Sequence, residues 1–312
     1  MNEALENYLI NARWNPEVET EVPLHECLYH YTSADSFLNI VQPEGILLWA
    51  SRIDCMNDRM EWLHAAEIYR AVCNQLLKEG EISDNFYQAI SHIKPSSKQL
   101  FLNKTNKNII SAHQEKCSRF ICCFSKEQDS LPMWNYYSKS NARSGYNIGF
   151  FNGEIIDSKR DYTGPYVYHT YRVIYDDSTK FDIIRKRIKE LGDLVHTKEE
   201  LEIVADEISY FLLEWAITFK CSDFAYENEV RLLVDVPLSE AEKQVKYRTN
   251  NGLIVPYIEV CFPHDILSYV KIGPLSCLPD DNELQRKIVK EMLSSRGYRN
   301  IDVSSSKVPI RF

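Results

Sequence analysis

The sequence predicts an α+β protein. Short apolar runs bounded by Gly, Pro, Asn and Asp recur along the chain, as strands do, while two longer stretches at about 60–118 and 180–220 carry helical patterning. The two kinds of segment do not alternate strictly, which favours a mixed fold over a doubly wound parallel sheet. Composition agrees: 44% apolar and 26% charged residues are those of a globular protein, and 19 Tyr with 13 Phe suit a strand-rich core. The 312 residues read as one domain, 1–312, with the two helical stretches as insertions.

Residues 1–26 are polar and Glu-rich and predict an arm or a short helix. Cys27–Thr32 is the first strand. Ser33 is placed to cap a short helix burying Phe37, Leu38 and Val41, which Pro43 and Gly45 end. Residues 45–50 form the second strand. Asn57 or Asp58 caps a long amphipathic helix to about Leu77, with Met60, Leu63, Ile68 and Val72 on or near one face. Residues 81–117 predict further helix. The run FICCFS at 120–125 is the third strand, followed by a helix starting near Asp129 or Ser130. Strands follow at 145–151 and 167–175. The longest helical region, 181–219, begins basic (Arg185, Lys186, Arg187, Lys189) and turns acidic (Glu199, Glu200, Glu202), the mark of a solvated face. Further strands are expected at 229–234, 257–262 and 269–273, then a helix over 281–294 and a short terminal segment, 301–312.

Function classes narrow from the totals. Nine cysteines without a C-x-x-C spacing predict reduced, buried thiols rather than a disulfide framework or a zinc site. A net charge of −9 argues against a protein that coats nucleic acid, though not against a local basic groove. No apolar run reaches the roughly 20 residues of a membrane span, and the start MNEALENYLI lacks the basic and apolar regions of a signal peptide. The expected location is the cytoplasm, without membrane partners.

Three clusters carry chemistry. In the first strand, period-two alternation sends His30 and Thr32 to one face and Tyr29 and Tyr31 to the other. A polar pair on an apolar strand is either part of an internal network or faces a polar ligand. In the second cluster, Ser125 precedes Asp129, Ser130, Pro132 and Trp134, with Tyr137 one helical turn on. Trp134 and Tyr137 are either a core stripe or a flat platform for a cationic ring. In the third, Glu227 and Glu229 share a face at the mouth of an apolar strand, with Asn228 and Arg231 nearby. Buried Glu and Arg need partners. A carboxylate at such a place can bind a sugar hydroxyl and stabilise positive charge as a glycosidic bond breaks.

The order of these clusters, His-x-Thr early, Ser and an aromatic helix in the middle, Glu-x-Glu late, resembles the His–Tyr–Glu arrangement of ADP-ribosyltransferases. The segments LYHYTSADSFLNIV, NDRMEW, CFSKEQDSLPMWNYYS with GYNIGF, and YENEVRLLV resemble a large bacterial domain family regarded as ADP-ribosyltransferase-like. Its closing signature is matched by Val270-Lys271-Ile272-Gly273-Pro274 and Val308-Pro309-Ile310-Arg311. The phrase DSLPMWNYY is also similar to the Ser-Pro-Met-aromatic segment of DarT-type DNA ADP-ribosyltransferase toxins.

The resemblance implies a mixed β core of split sheets and NAD as substrate, with no metal. It implies that His30 and Thr32, with Tyr31 between them, hold NAD, and that Ser125 and Ser130 lie near the nicotinamide amide. Trp134 or Tyr137 would stack on the ring, and Arg52 or Arg231 would meet the pyrophosphate. Glu229 would hold the nicotinamide ribose and stabilise its oxocarbenium ion, while Glu227 lies in the acceptor-contacting turn. An intracellular toxin of toxin–antitoxin or phage-defence type is implied, modifying RNA in preference to DNA and held by an antitoxin, with or without a chaperone. Protein modification, NAD hydrolysis and non-catalytic nucleotide or partner binding are the alternatives.

Overall fold

The computed structural model describes residues 1–14, 18–55, 60–93, 117–138, 145–160, 166–250, 252–274 and 279–308. The chain is α+β, built on one large mixed sheet and a helical layer. The strands are β1 (Cys27–Thr32), β2 (Val41–Gln42), β3 (Gly45–Arg52), β4 (Cys117–Ser125), β5 (Tyr146–Phe151), β6 (Val167–Arg172), β7 (Glu229–Pro237), β8 (Lys246–Asn250), β9 (Leu253–Phe262), β10 (Leu267–Ile272) and β11 (Asp302–Ser305). The helices are α1 (Glu3–Trp14), α2 (Ala34–Ile40), α3 (Met60–Lys78), α4 (Asp84–Ile90), α5 (Leu131–Tyr137), α6 (Asn152–Arg160), α7 (Asp177–Leu194), α8 (Lys198–Thr218), α9 (Leu238–Gln244) and α10 (Pro279–Ser295).

The sheet forks at β4. One edge of β4 pairs with β7 along its whole length, from Cys117 opposite Pro237 to Ser125 opposite Glu229. Its other edge meets two different strands. β3 pairs with it at Ser51–Ile121 and Arg52–Phe120, and β1 at Tyr29–Ser125. From there one arm runs β1–β5–β10–β11 and the other β3–β9–β8, with β6 flanking β7. Residues 122–124 of β4 lie between the two branch points, where the arms part.

β4 and β7 are buried on both faces, which is why they read as near-continuous apolar runs. Phe120, Cys122, Phe124, Val230, Leu232 and Val234 point into the main core. On the opposite face Ile121 and Leu233 pack under Leu213 and Ile217 of α8. The helical layer has a core of its own, in which α1, α3, α4, α7 and α8 contribute Leu9, Tyr69, Phe86, Ile188 and Trp215 among others. The two helical stretches of the sequence, far apart along the chain, therefore converge in one layer on the sheet.

Several expected boundaries move. Region 181–219 is two helices, because the Thr197–Glu200 pair forms a reciprocal capping box that starts α8 afresh. The basic run thus belongs to α7 and the acidic run to α8. The buried face of α3 is Ala65, Tyr69, Val72 and Leu76, while Leu63 is exposed. At α2, Ser33 does accept from the Ser36 amide and Phe37 and Val41 are buried as expected, but Ile40 is buried with them and Leu38 is outside. The strand expected at 229–234 continues to Pro237. β8 and α9 were not legible, since KYRTN has no apolar alternation. Asn57, Asp58, most of the helix expected at 81–117, and the terminal Pro309-Ile310-Arg311 lie outside the described residues.

Candidate active site

A cavity of about 260 Å³ lies where the arms part, close to the lower end of ligand-site volumes, ~300–1,000 Å³. Tyr29, His30 and Tyr31 of β1 form one wall; Trp49 and Ser51 of β3 with Arg248 of β8 form the other. Residues 121–125 of β4 line it between the two walls, and Tyr137, Lys220, Glu227 and Glu229 close one side.

The carboxylates reach this place through a backbone irregularity. Residues Ser222–Glu227 form a 3-10 turn that ends at Asn228, whose φ of 41° and ψ of 55° are left-handed. Asn tolerates that region better than most residues because its short polar side chain bonds locally. Here Asn228 Nδ2 donates to Glu127 Oε1 at 2.9 Å, and its carbonyl accepts from the Lys126 amide at 2.9 Å. Glu227 and Glu229 therefore do not share a strand face by simple alternation, as the sequence suggested. They converge instead on Lys220.

Lys220 Nζ lies 2.5 Å from Glu227 Oε2 and 3.1 Å from Glu229 Oε2. Arg231 grips Glu229 with two donors, Nε to Oε1 at 2.9 Å and Nη2 to Oε2 at 3.0 Å, and its Nη1 donates to the Ile217 carbonyl at 2.6 Å. Tyr137 donates its hydroxyl to Glu227 Oε1 at 2.6 Å, and Ser125 Oγ donates to the Glu227 carbonyl at 2.5 Å. The Glu229 amide donates to the Tyr175 hydroxyl at 3.0 Å. All four charged groups are buried, and two cations balance two anions. Burial pushes the Glu229 carboxyl up, but Arg231 and Lys220 outweigh it and hold the group down at about 2. Burial pushes Lys220 down, and Glu229 and Glu227 more than reverse that. Glu229 is thus an anion across the whole neutral range, a fixed charge and not a proton donor. Cys123, on the strand beside it, is a suppressed thiol: burial and the Glu229 charge raise its pKa well above the ordinary value.

The β1 wall is neutral. His30 is half-buried, and its Nδ1 lies 3.0 Å from the Cys123 carbonyl, an acceptor that fixes the proton on Nδ1 in the neutral ring. Burial lowers its pKa, with the Arg248 charge acting in the same direction. The Tyr31 hydroxyl donates to the Glu127 carbonyl at 2.6 Å and accepts from the Ser130 amide at 3.1 Å.

Of the residues singled out from sequence, His30, Tyr31, Ser125, Tyr137, Glu227 and Glu229 line the cavity, and five others do not. Thr32 is buried opposite Tyr146. Ser130 caps α5 without a side-chain bond to it. Trp134 is no platform: it is 2% exposed, its indole N–H donates to Asp129 Oδ1 at 2.8 Å, and its ring stands edge-on to Tyr31 at 4.7 Å. Tyr137, one turn on, takes the cavity position. Arg52 pairs with Asp54 at 2.7 Å, and Arg231 is fully buried behind Glu229. Neither guanidinium meets the cavity.

Sequence reasoning missed Lys220 and Arg248. Lys220 had a signal, a lone cation between Phe219 and Cys221 after an apolar helix. The Lys220 amide donates to the Ile174 carbonyl at 3.1 Å, and its own carbonyl accepts from Lys180 Nζ at 2.8 Å. Among the described residues no cluster of three or more His, Cys, Asp or Glu side chains is arranged to hold a metal, and no helix is long and apolar enough to cross a membrane.

Residues 133–232 match a family described as "Protein of unknown function (DUF2971)". The match runs from α5 into β7, so it takes in Tyr137, Lys220, Glu227, Glu229 and Arg231 and leaves out His30 and Arg248. No curated protein and no solved structure matches the chain.

Proposed function

We propose that this protein is an NAD-dependent ADP-ribosyltransferase acting at the fork of its sheet. One observation carries the reading: segments 29–31, 121–137 and 220–231, distant in sequence, meet at one cavity with a carboxylate on its wall that two cations hold in place. Cleaving the bond between nicotinamide and ribose builds positive charge on the sugar. A fixed anion that needs no reorganisation stabilises such charge in the transition state. Glu229 has that role, oriented by Arg231 and Lys220. Tyr137 and Tyr31 offer aromatic surface to the nicotinamide, and neutral His30 offers hydrogen bonds without repelling a cationic ring. The parting of the two arms supports a split-sheet, ADP-ribosyltransferase-like fold.

We assign nucleic acid as acceptor, RNA ahead of DNA, and an intracellular toxin or effector role with a neutralising partner, on the resemblance of the motifs. A second reading is favoured by one specific observation. Glu227 is already engaged by Lys220 and Tyr137, so among the described residues no free carboxylate lines the cavity to deprotonate an acceptor, as suits NAD hydrolysis or nucleotide binding without chemistry. Purified protein incubated with NAD labelled in its adenylate half, with RNA, DNA and cell lysate offered separately, separates the three. Label on RNA or DNA is the expected result, label on protein moves the acceptor, and free ADP-ribose alone makes it a hydrolase. Bound but intact NAD leaves a binding module.

A further inference from the structure

Among the described residues, one cation in the cavity has no counterion. Arg248 stands on the edge strand β8, where its neighbour Lys246 is paired with Glu259 at 2.7 Å. Arg248 itself pairs with no carboxylate among the described residues. Its Nη2 donates to Ser51 Oγ at 2.8 Å, and its guanidinium lies over the Trp49 ring at 5.9 Å from the centroid. Its Nε is buried and has no hydrogen-bond partner among the described residues. Arg248 as a whole is half-buried, but a buried donor left unanswered on a charged group is costly, and an anion is the natural match. The other charges lining or backing the cavity, Lys220 and Arg231 against Glu227 and Glu229, cancel, which leaves Arg248 as its excess charge. Its field reaches the neighbouring wall: it opposes protonation of His30, and it opposes the effect of burial on the Cys122 thiol.

We propose that the β3–β8 wall of the cavity is a phosphate-binding site in which Arg248, fixed by Ser51 and Trp49, supplies the charged donors. A planar guanidinium matches phosphate oxygens two at a time, and an indole beneath it holds the plane without using a donor. The placement gives the ligand a length. Ser51 pairs with Ile121 on β4, and Glu229 with Ser125, four residues further along that strand. At ~3.3 Å per residue the two levels are about 13 Å apart, a span that suits a nucleotide better than free phosphate. This rests on reading the cavity as the ligand site and extends it: the phosphate partner is Arg248, in place of the Arg52 or Arg231 expected from sequence.

The test is calorimetric titration of the full chain with inorganic pyrophosphate and, separately, with NAD, using wild type, Arg248→Gln and Arg248→Lys. Losing a charged hydrogen bond costs ~1.5–3 kcal/mol, so Arg248→Gln is expected to weaken binding about 10- to 100-fold, and Arg248→Lys by less. Ser51→Ala, which leaves the charge in place, covers the case in which Arg248→Gln melts early; it should weaken binding several-fold. Loss of affinity for NAD in Arg248→Gln supports the site. Pyrophosphate bound through Arg248 while NAD is not bound keeps the phosphate site and removes NAD as substrate. NAD bound equally by wild type and Arg248→Gln removes the phosphate site and keeps NAD. Binding of neither ligand overturns both.

Discussion

β4 and β7 carry two ionic clusters on the same face, one at each end, the near one buried throughout and the far one buried only at Arg119. At the far end Arg119 lies between Asp235, at 2.9 Å, and Glu214 of α8, within reach of the Tyr210 ring. At the near end Arg231 and Lys220 hold Glu229 and Glu227. The strands, the face and the covering helix are shared, yet the carboxylates respond in opposite directions. Burial and repulsion from Glu214 raise Asp235 above its ordinary pKa despite Arg119, whereas two cations take Glu229 down to about 2. The far cluster joins a helix to the sheet and lines no part of the cavity; the near one opens where β1 and β3 part. Buried charge therefore does not identify a site by itself. What sets the near cluster apart is its position at the fork, together with enough countercharge to keep the acid ionised.

The largest expected effects probe whether structure and function divide in this way. Trp134→Ala should destabilise the protein by about 3–5 kcal/mol, the cost of emptying a packed aromatic site, while NAD affinity of the folded fraction changes less than threefold. A denaturant titration with a parallel binding measurement checks both, and a large loss of affinity at unchanged stability would restore Trp134 as a stacking ring. Arg119→Ala should cost about 3 kcal/mol, the low end for breaking a buried pair, because it removes a buried cation and leaves two half-buried carboxylates facing each other. Turnover per folded molecule should stay at the wild-type level, and a steady-state assay corrected for folded fraction would expose a far cluster that reaches the chemistry.

Acid sensitivity sharpens the contrast. The folded pKa of Glu229 lies below its ordinary value of 4.5, so its contribution is complete above about pH 4.5 and is lost as pH falls towards 2. That contribution is roughly 3 kcal/mol. The stability gap between wild type and Glu229→Gln, followed by denaturant unfolding from pH 7 downwards, should close over that window. A gap independent of pH would mean that the carboxylate is not held ionised. The smallest effect is expected of Tyr137→Phe. It removes one hydrogen bond, worth about 1.5 kcal/mol, to the Glu227 carboxylate, which Lys220 still holds, and should change KM for NAD less than tenfold while lowering the melting temperature by only a few degrees.

Much of this was legible in the sequence. β1, β4 and β7 announced themselves as apolar runs, and their embedded His30, Glu227, Glu229 and Arg231 were conspicuous because charge in such runs demands a partner. What stayed hidden depended on three-dimensional choices that periodicity does not encode. Trp134 and Tyr137 sit three apart on a seven-residue helix, and it is the Asp129 carboxylate, Tyr31 and the space over Gly273 that receive Trp134 inside. Alternation predicted one face for Glu227 and Glu229, but the left-handed Asn228 breaks that alternation, and Lys220 reunites the pair. Arg248 lies on an edge strand whose polar sequence gives no strand signal. The fork itself is a matter of which strands β4 leaves unpaired between residues 121 and 125, information that no local pattern holds.

The most direct measurement is nicotinamide release from NAD by the purified chain, comparing wild type with Glu229→Gln and Arg119→Met after circular dichroism has shown each to be folded. Wild type and Arg119→Met should release nicotinamide at like rates, and Glu229→Gln should be slower by about 10²–10³. Equal release by Glu229→Gln and wild type, or activity lost with Arg119→Met and kept with Glu229→Gln, would contradict the assignment of the fork as the reacting centre.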